Sequence, residues 1–324
     1  MKSFVLAVVF CGVICGLVIG TPSAQAQPYP SRPIQLIIPG AAGSVLDIAG
    51  RIVAEELGKI LRQQVICIVK PGGGFTLGTD YVARSKKDGY TLAYTMSAAI
   101  VHTRVLTPET VPYDPDKDLE PLGLHLFLVS GIAVQASAPW KDFRELLDYA
   151  KSHPGKIRVS TAGVGTGNHL QLEMIQSLTG VKFTHIPFKG GEAIITPLLG
   201  GHVEAVFDVT SKLTPHVEDG KMRVLLLSAK TPKYPKVPTM SDLGYTQKVI
   251  SAWFAMYGPA GMPEDVKKVL IPAIEKAMTH PEVKAKLEKM EFAVTYKPPA
   301  ELKKHAAEEY ESSLAIAKKL GLRK

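Results

Sequence analysis

Twice along this chain a strand-length apolar run leads through small residues into an apolar pattern of helical period. The first instance is Ile34–Ile38, the loop Pro39-Gly40-Ala41-Ala42-Gly43-Ser44, and then Val45, Ile48, Ala49, Ile52, Val53, Leu57 and Ile60. The second is residues 157–161, the loop Ala162-Gly163-Val164-Gly165-Thr166-Gly167, and a helical stretch over 168–178. A strand that feeds a helix through so short a connection folds the helix back over the sheet, which commits both stretches to a layered α/β arrangement. Further strands are expected at Val65–Val69, 91–95, 126–134, 203–208, 224–228 and 253–257, and helices at 143–151, Glu264–Thr279 and 300–320. The alternation predicts largely parallel pairing in the first unit.

The chain has 324 residues, too many for one small core and suited to two lobes. The late helices follow a strand able to rejoin the first sheet. Lobe one is therefore expected to be discontinuous, 27–127 plus 252–324, with lobe two at 128–251. Two crossing segments, near 127–135 and 249–257, would form a hinge, with the site between the lobes where strand ends face each other.

Lys2, the apolar run 4–20 and the small-x-small site Ala24-Gln25-Ala26 read as an export signal over 1–26, and hence as a periplasmic protein. A membrane anchor is the competing reading, disfavoured by a run at the lower limit for a span and by the cleavage site after it. Loss of the leader leaves Cys67 alone, without an internal disulfide partner. The net charge is +8, but Lys and Arg are spread along the chain with no basic run interleaved with aromatics. That points away from nucleic acid and toward solubility with a mild attraction for anions.

The two loops carry the chemistry. Ala41, Ala42 and Gly43 let backbone N–H groups come close to a ligand, and the helix that follows presents the positive end of its dipole. Ser44 and Asp47 have capping-box spacing. Asp47 reads either as support for the helix start or as a ligand contact, and repulsion between a carboxylate and an anion favours the former. In the second loop Thr161, Gly163, Val164, Gly165 and Thr166 combine backbone donors with hydroxyls, Thr166 or Asn168 can cap the helix, and His169 falls in its first turn. Ser97, His102, Lys189, Gly190 and Asp208 follow strands or turns and read equally as turn chemistry or ligand contacts. Two such cradles in two lobes suit an anion held as the lobes close, and a few charge-assisted hydrogen bonds reach micromolar affinity.

Signatures of catalysis are sparse. There is no nucleophile elbow, and Gly78 is followed by Thr79 where a P-loop needs Lys. The nine histidines show no metal spacing, and no cofactor is expected. Gly163 and Gly165 start a dinucleotide fingerprint that breaks at Asn168, which leaves a nucleotide-using enzyme as an alternative. An exported sensor feeding a signalling partner is another.

With these loops identified, the chain resembles the solute-binding proteins of tripartite tricarboxylate transporters, the Bug family. The resemblance rests on Tyr29-Pro30-Ser31-Arg32-Pro33-Ile34, the first loop through Asp47, Pro71-Gly72-Gly73-Gly74 with Leu77-Gly78, and Asp88-Gly89-Tyr90-Thr91-Leu92. It continues in Gly163-Val164-Gly165-Thr166 with His169-Leu170, Pro187-Phe188-Lys189-Gly190, and Leu199-Gly200-Gly201 with Phe207-Asp208. It implies a two-lobed Venus-flytrap fold of the type II kind, an expected monomer, and a periplasmic receptor that passes a small carboxylate to a membrane permease. Gly40 stands where the family usually has Phe, and Ser44, Val45 and Leu46 where it has more glycine. The loss of a ring implies a wider entrance and a bulkier ligand, for example an aromatic dicarboxylate such as terephthalate, with His102 on its distal carboxylate.

Overall fold

The computed structural model describes residues 28–164, 166–188, 194–245 and 252–323. The expected leader over 1–26 and part of the second crossing lie outside them. The described residues form strands β1 (Ile34–Ile38), β2 (Val65–Val69), β3 (Thr91–Met96), β4 (Leu119–Leu128), β5 (Ser130–Gln135), β6 (Arg158–Thr161), β7 (Thr184–Pro187), β8 (Ala205–Val209), β9 (Met222–Leu227), β10 (Trp253–Pro259) and β11 (Phe292–Lys297). The helices are α1 (Val45–Leu61), α2 (Thr76–Ala83), α3 (Thr103–Leu106), α4 (Pro115–Asp118), α5 (Phe143–Ser152), α6 (Gly167–Thr179), α7 (Thr196–Leu199), α8 (Thr210–Glu218), α9 (Glu264–Thr279), α10 (Pro281–Lys289) and α11 (Pro299–Lys319), with a single π-helical turn at Ala98–His102. None of the described helices is long and apolar enough to cross a membrane.

The strands make two sheets. The first is ordered β11-β4-β10-β3-β1-β2 and the second β7-β6-β8-β5-β9. Side chains alternate across the pleat, so each sheet buries both faces. In β1, Ile34, Leu36 and Ile38 meet α1 and α9, whereas Ile37 joins Trp253, Ala255 and Leu302 on the opposite face. In the second sheet Ile132, Val159 and Phe207 pack on α5 and α6, and Ala133 and Val206 pack on α7 and α8. Each large apolar side chain removed from water contributes about 1.5–3 kcal/mol.

Both sheets are mixed, not largely parallel. β1 runs parallel to β2 and β3, but β10 lies antiparallel between β3 and β4, and β11 is antiparallel to β4. In the second sheet β6 is parallel to β7 and β8, while β5 is antiparallel to β8 and β9. β4 leaves the first sheet and β10 re-enters it only after the second sheet, so no crossover helix imposes parallel pairing between them; β11, which follows β10 through α9 and α10, runs in the same direction as β10 and so antiparallel to β4.

The single strand expected at 126–134 is two strands in different sheets. The break is Val129, whose carbonyl accepts from the Thr210 N–H at 2.8 Å and from the Thr210 hydroxyl at 3.2 Å. The only mark in the sequence is the pair Ser130-Gly131 just after the break, and the apolar run resumes at Ile132, so hydropathy alone reads the stretch as one strand. Beside it, the Leu128 N–H donates to the Ala252 carbonyl at 2.7 Å, tying the outgoing segment to the returning one. Away from these crossings the two halves also touch where Leu170 and Met174 of α6 pack against Ile316 of α11 and Leu320 at its end.

Candidate functional site

The first loop leaves the end of β1, beside the end of its parallel neighbour β3. Ala41, Ala42 and Gly43 are exposed, and Gly43 sits at φ 75°, a conformation that glycine adopts without strain. Ser44 caps α1 with its hydroxyl accepting from the Asp47 N–H at 3.3 Å. Asp47 is buried, and its carboxylate accepts from the Gly43 N–H at 2.8 Å and from Arg51 Nε at 2.8 Å. Its oxygens are thus engaged in holding the loop onto the helix start, the supporting one of the two roles open to it. A side chain at Gly40 would meet Ser44 Oγ at 2.9 Å and Leu46 Cδ2 at 3.3 Å. Ser44 and Leu46 therefore occupy the space next to the Gly40 backbone.

The second loop leaves β6, next to the parallel β8. Thr166 caps α6: its hydroxyl accepts from the His169 N–H at 3.4 Å and donates to the Gly163 carbonyl at 2.8 Å. Val164 is 59% exposed at the loop tip. Asn168 donates from Nδ2 to the Phe207 carbonyl at 3.0 Å, which pins the first turn of α6 to β8. Thr161 Oγ1 lies 2.6 Å from His185 Nε2, and the His185 ring stacks on His169 at 4.0 Å. Burial lowers the pKa of both imidazoles; for His185, burial and then the neighbouring His169 bring it to about 4. The pair is neutral near pH 7 and forms a floor under the loop. Asp208 ends β8, buried, with its oxygens taken by the Val209 N–H and Lys212 Nζ. Gly165, Lys189 and Gly190 lie outside the described residues.

The halves meet across a cleft of about 520 Å³ lined by His102, Thr103, Leu106 and Thr107 from the first and Val164, Thr166 and Gly167 from the second. His102 Cε1 is 3.9 Å from where a side chain on Gly167 would begin. The end of β3 therefore faces the start of α6. Ser97, at that strand end, is fully buried, and its hydroxyl accepts from the Trp253 N–H at 3.4 Å. His102 Nε2 lies 2.7 Å from Glu309 Oε1, and Trp253 Nε1 donates to Glu309 Oε2 at 2.6 Å. Burial alone would raise the Glu309 pKa, but hydrogen bonds and charge from His102 and His305 hold it down to about 2. No carboxylate is among the described cleft-lining residues. Hydroxyls, an imidazole and the first amides of a 13-residue helix make an anion-accepting wall. Among the described residues no group of His, Cys, Asp and Glu is arranged to hold a metal ion.

Residues 49–322 match the family described as the tripartite tricarboxylate transporter family receptor. A UPF0065 protein in the gbd 5′ region of Cupriavidus necator is 36% identical over 311 residues, spanning 95% of this chain and 94% of that protein. The chain belongs to the tripartite tricarboxylate transporter receptor family. A TctC solute-binding protein from Polaromonas, solved without ligand, superposes with a TM-score of 0.81 at 28% identity and covers 90% of this chain and 99% of that one. MatC from Rhodopseudomonas palustris, solved with bound malate, superposes at 0.66 with 26% identity over 89% and 99% of the two chains.

Tripartite tricarboxylate transporter receptors are periplasmic solute-binding proteins and not an enzyme family. In this receptor the described residues singled out from sequence fall into three places, with Asp208 apart from them in β8. Thr161, Gly163, Val164, Thr166, Asn168 and His169 gather at the ends of β6 and the start of α6. Ser97 and His102 stand across the cleft at the end of β3, and Ala41, Ala42, Gly43, Ser44 and Asp47 follow the adjacent β1. Of all these, His102, Val164 and Thr166 line the cleft itself. Sequence reasoning missed Thr103, Thr107, His185 and Glu309. Thr103 and Thr107 stand at i,i+4 spacing, as do His102 and Leu106, a pattern readable once His102 is suspected. Glu309 gives no such signal.

Proposed function

We propose that this receptor captures a small dicarboxylate between its two glycine-rich loops and delivers it unaltered to the membrane permease of a tripartite transporter. The observation that carries this reading is the cleft, where the capped start of α6 meets His102 from the other half. Malate in MatC supports the ligand class. In this reading 27–127 with 252–324 form one lobe and 128–251 the other, and the monomer closes about the two crossings. Backbone amides of the two loops hold one carboxylate, and His102 meets the other.

The test is a ligand panel of malate, succinate, adipate and terephthalate, read by calorimetry and thermal shift. A ligand at 100 times its Kd adds about 2.7 kcal/mol to stability, which raises Tm by roughly 5 °C. ATP and NAD are expected to leave Tm unchanged. A panel in which nucleotides stabilise the protein and no diacid does so would end the receptor reading.

A further inference from the structure

Glu309 is a charged residue 5% exposed, on a helix whose outward face is rich in Lys and Glu. Burying a carboxylate is unfavourable unless hydrogen bonds compensate, and an apolar residue of similar volume serves stability as well or better. Here both oxygens are occupied. Oε1 meets His102, which lines the cleft, and Oε2 accepts from Trp253, the first residue of the strand that returns to the first sheet. His305, one turn earlier on α11, adds a third nitrogen at 3.4 Å. Arg104, the nearest cation along the chain from His102, is engaged elsewhere, paired with Asp116 at 2.8 Å and lying over the Tyr310 ring. Across the cleft, the first turn of α6 offers only His169, stacked on His185.

We infer that Glu309 is a positioning residue that makes His102 the receptor for the second carboxylate of the ligand. The inference rests on the proposed diacid reading of the cleft. An ionised carboxylate 2.7 Å from Nε2 fixes a proton on that nitrogen and sets the orientation of the ring. A neutral ring so held has only an acceptor at Nδ1, whereas the imidazolium donates from both nitrogens. Glu309 therefore supplies the negative charge that lets the ring turn a donor toward an incoming anion. Specificity for two carboxylates over one follows: a monoacid satisfied by the loops alone gains nothing from the His102–Glu309 pair.

The experiment compares wild type with Glu309→Gln and His102→Gln. Calorimetry is run with adipate and terephthalate and with the monoacids hexanoate and benzoate, alongside ¹⁵N spectra of labelled histidine. Glu309→Gln is expected to weaken diacid binding about tenfold or more, the scale of one charged hydrogen bond, and to leave the monoacids unchanged. His102→Gln is expected to match it, with the double variant no weaker than either. In wild type, diacid is expected to move His102 to the signature of a ring protonated at both nitrogens. Undiminished diacid affinity in Glu309→Gln overturns the inference and leaves the receptor reading standing. Wild type that binds no diacid overturns both. Should Glu309→Gln not fold, an unchanged His102 spectrum in diacid-saturated wild type overturns the inference by itself.

Discussion

His125 lies wholly buried in the first sheet, its ring 5.4 Å from that of Tyr94 and 6.5 Å from that of Tyr296. Neither of its nitrogens has a protein hydrogen-bond partner, and burial pushes its pKa down to about 3. In the unfolded chain a histidine titrates near 6.5. The unfolded state therefore binds more protons between those values, and the stability this neutral ring carries is full above about pH 6.5 and is lost as pH falls toward 3. His185, at about 4, adds to the same slope. Tm is expected to fall steadily as the buffer is taken from pH 7 to pH 4, a loss on the order of a few kcal/mol. His125→Phe, which cannot be protonated, is expected to shrink the slope; an identical slope in that variant would show that His125 plays no part. Cys67 follows the same logic: burial raises its thiol to about 11, so near pH 7 it is the unreactive, protonated form.

The two loop-to-helix elements were legible in the sequence because their capping residues are chemically marked. Ser44 and Thr166 are short hydroxyl residues placed between a strand and an apolar helical period, and both cap the helices that follow. Thr166→Val removes that cap, so it is expected to cost about 1 kcal/mol of stability as well as weakening diacid binding about tenfold. Chemical denaturation and calorimetry read the two effects separately, and unchanged affinity would count against the second cradle. Gly43→Val meets no atom within 4 Å, but it forces a β-branched residue to φ 75°. It is expected to destabilise by roughly 1–3 kcal/mol and to reshape the first loop, so wild-type binding by a folded Gly43→Val protein would remove that loop from the ligand's grip. Other elements left little to read. α2 starts at Thr76 with no side-chain cap, after Phe75 at φ 76°. α10 buries only Val283 and Leu287, and β11, an edge strand, buries only Phe292, too few positions to show a period. The pairing of Glu309 with His102 spans 207 residues of chain, and one sequence holds no trace of such a contact.

Across the whole molecule, the halves meet at the cleft beside His102, at a second cavity of about 360 Å³ between Phe127, Lys297 and His305 on one side and Ser228 and Thr239 on the other, at a paired crossing at Leu128 and Ala252, and in a hydrogen bond from the Thr214 hydroxyl to Glu291 at 2.9 Å. In the reading proposed above, the halves close about these crossings. Saturating diacid is expected to shrink the radius of gyration measured by small-angle scattering; binding with no contraction would mean that the ligand enters a cleft already shut. The crossings were readable from the late strand near 253 and were expected near 127–135 and 249–257; the change of sheet at Val129 falls inside the first range, but the sequence reads across it as one strand. The insertion of β10 between β3 and β4 has an effect on how the chain comes into being. Met96 and Leu126 both pair with Phe254, a residue made long after them. The second sheet, built wholly from residues 130–227, is complete while the first still lacks its central strand. Such long-range closure is slow. A chain that emerges from its N-terminal side therefore passes through a stage with one sheet complete and the other open, and the residues from 252 onward zip the open one shut.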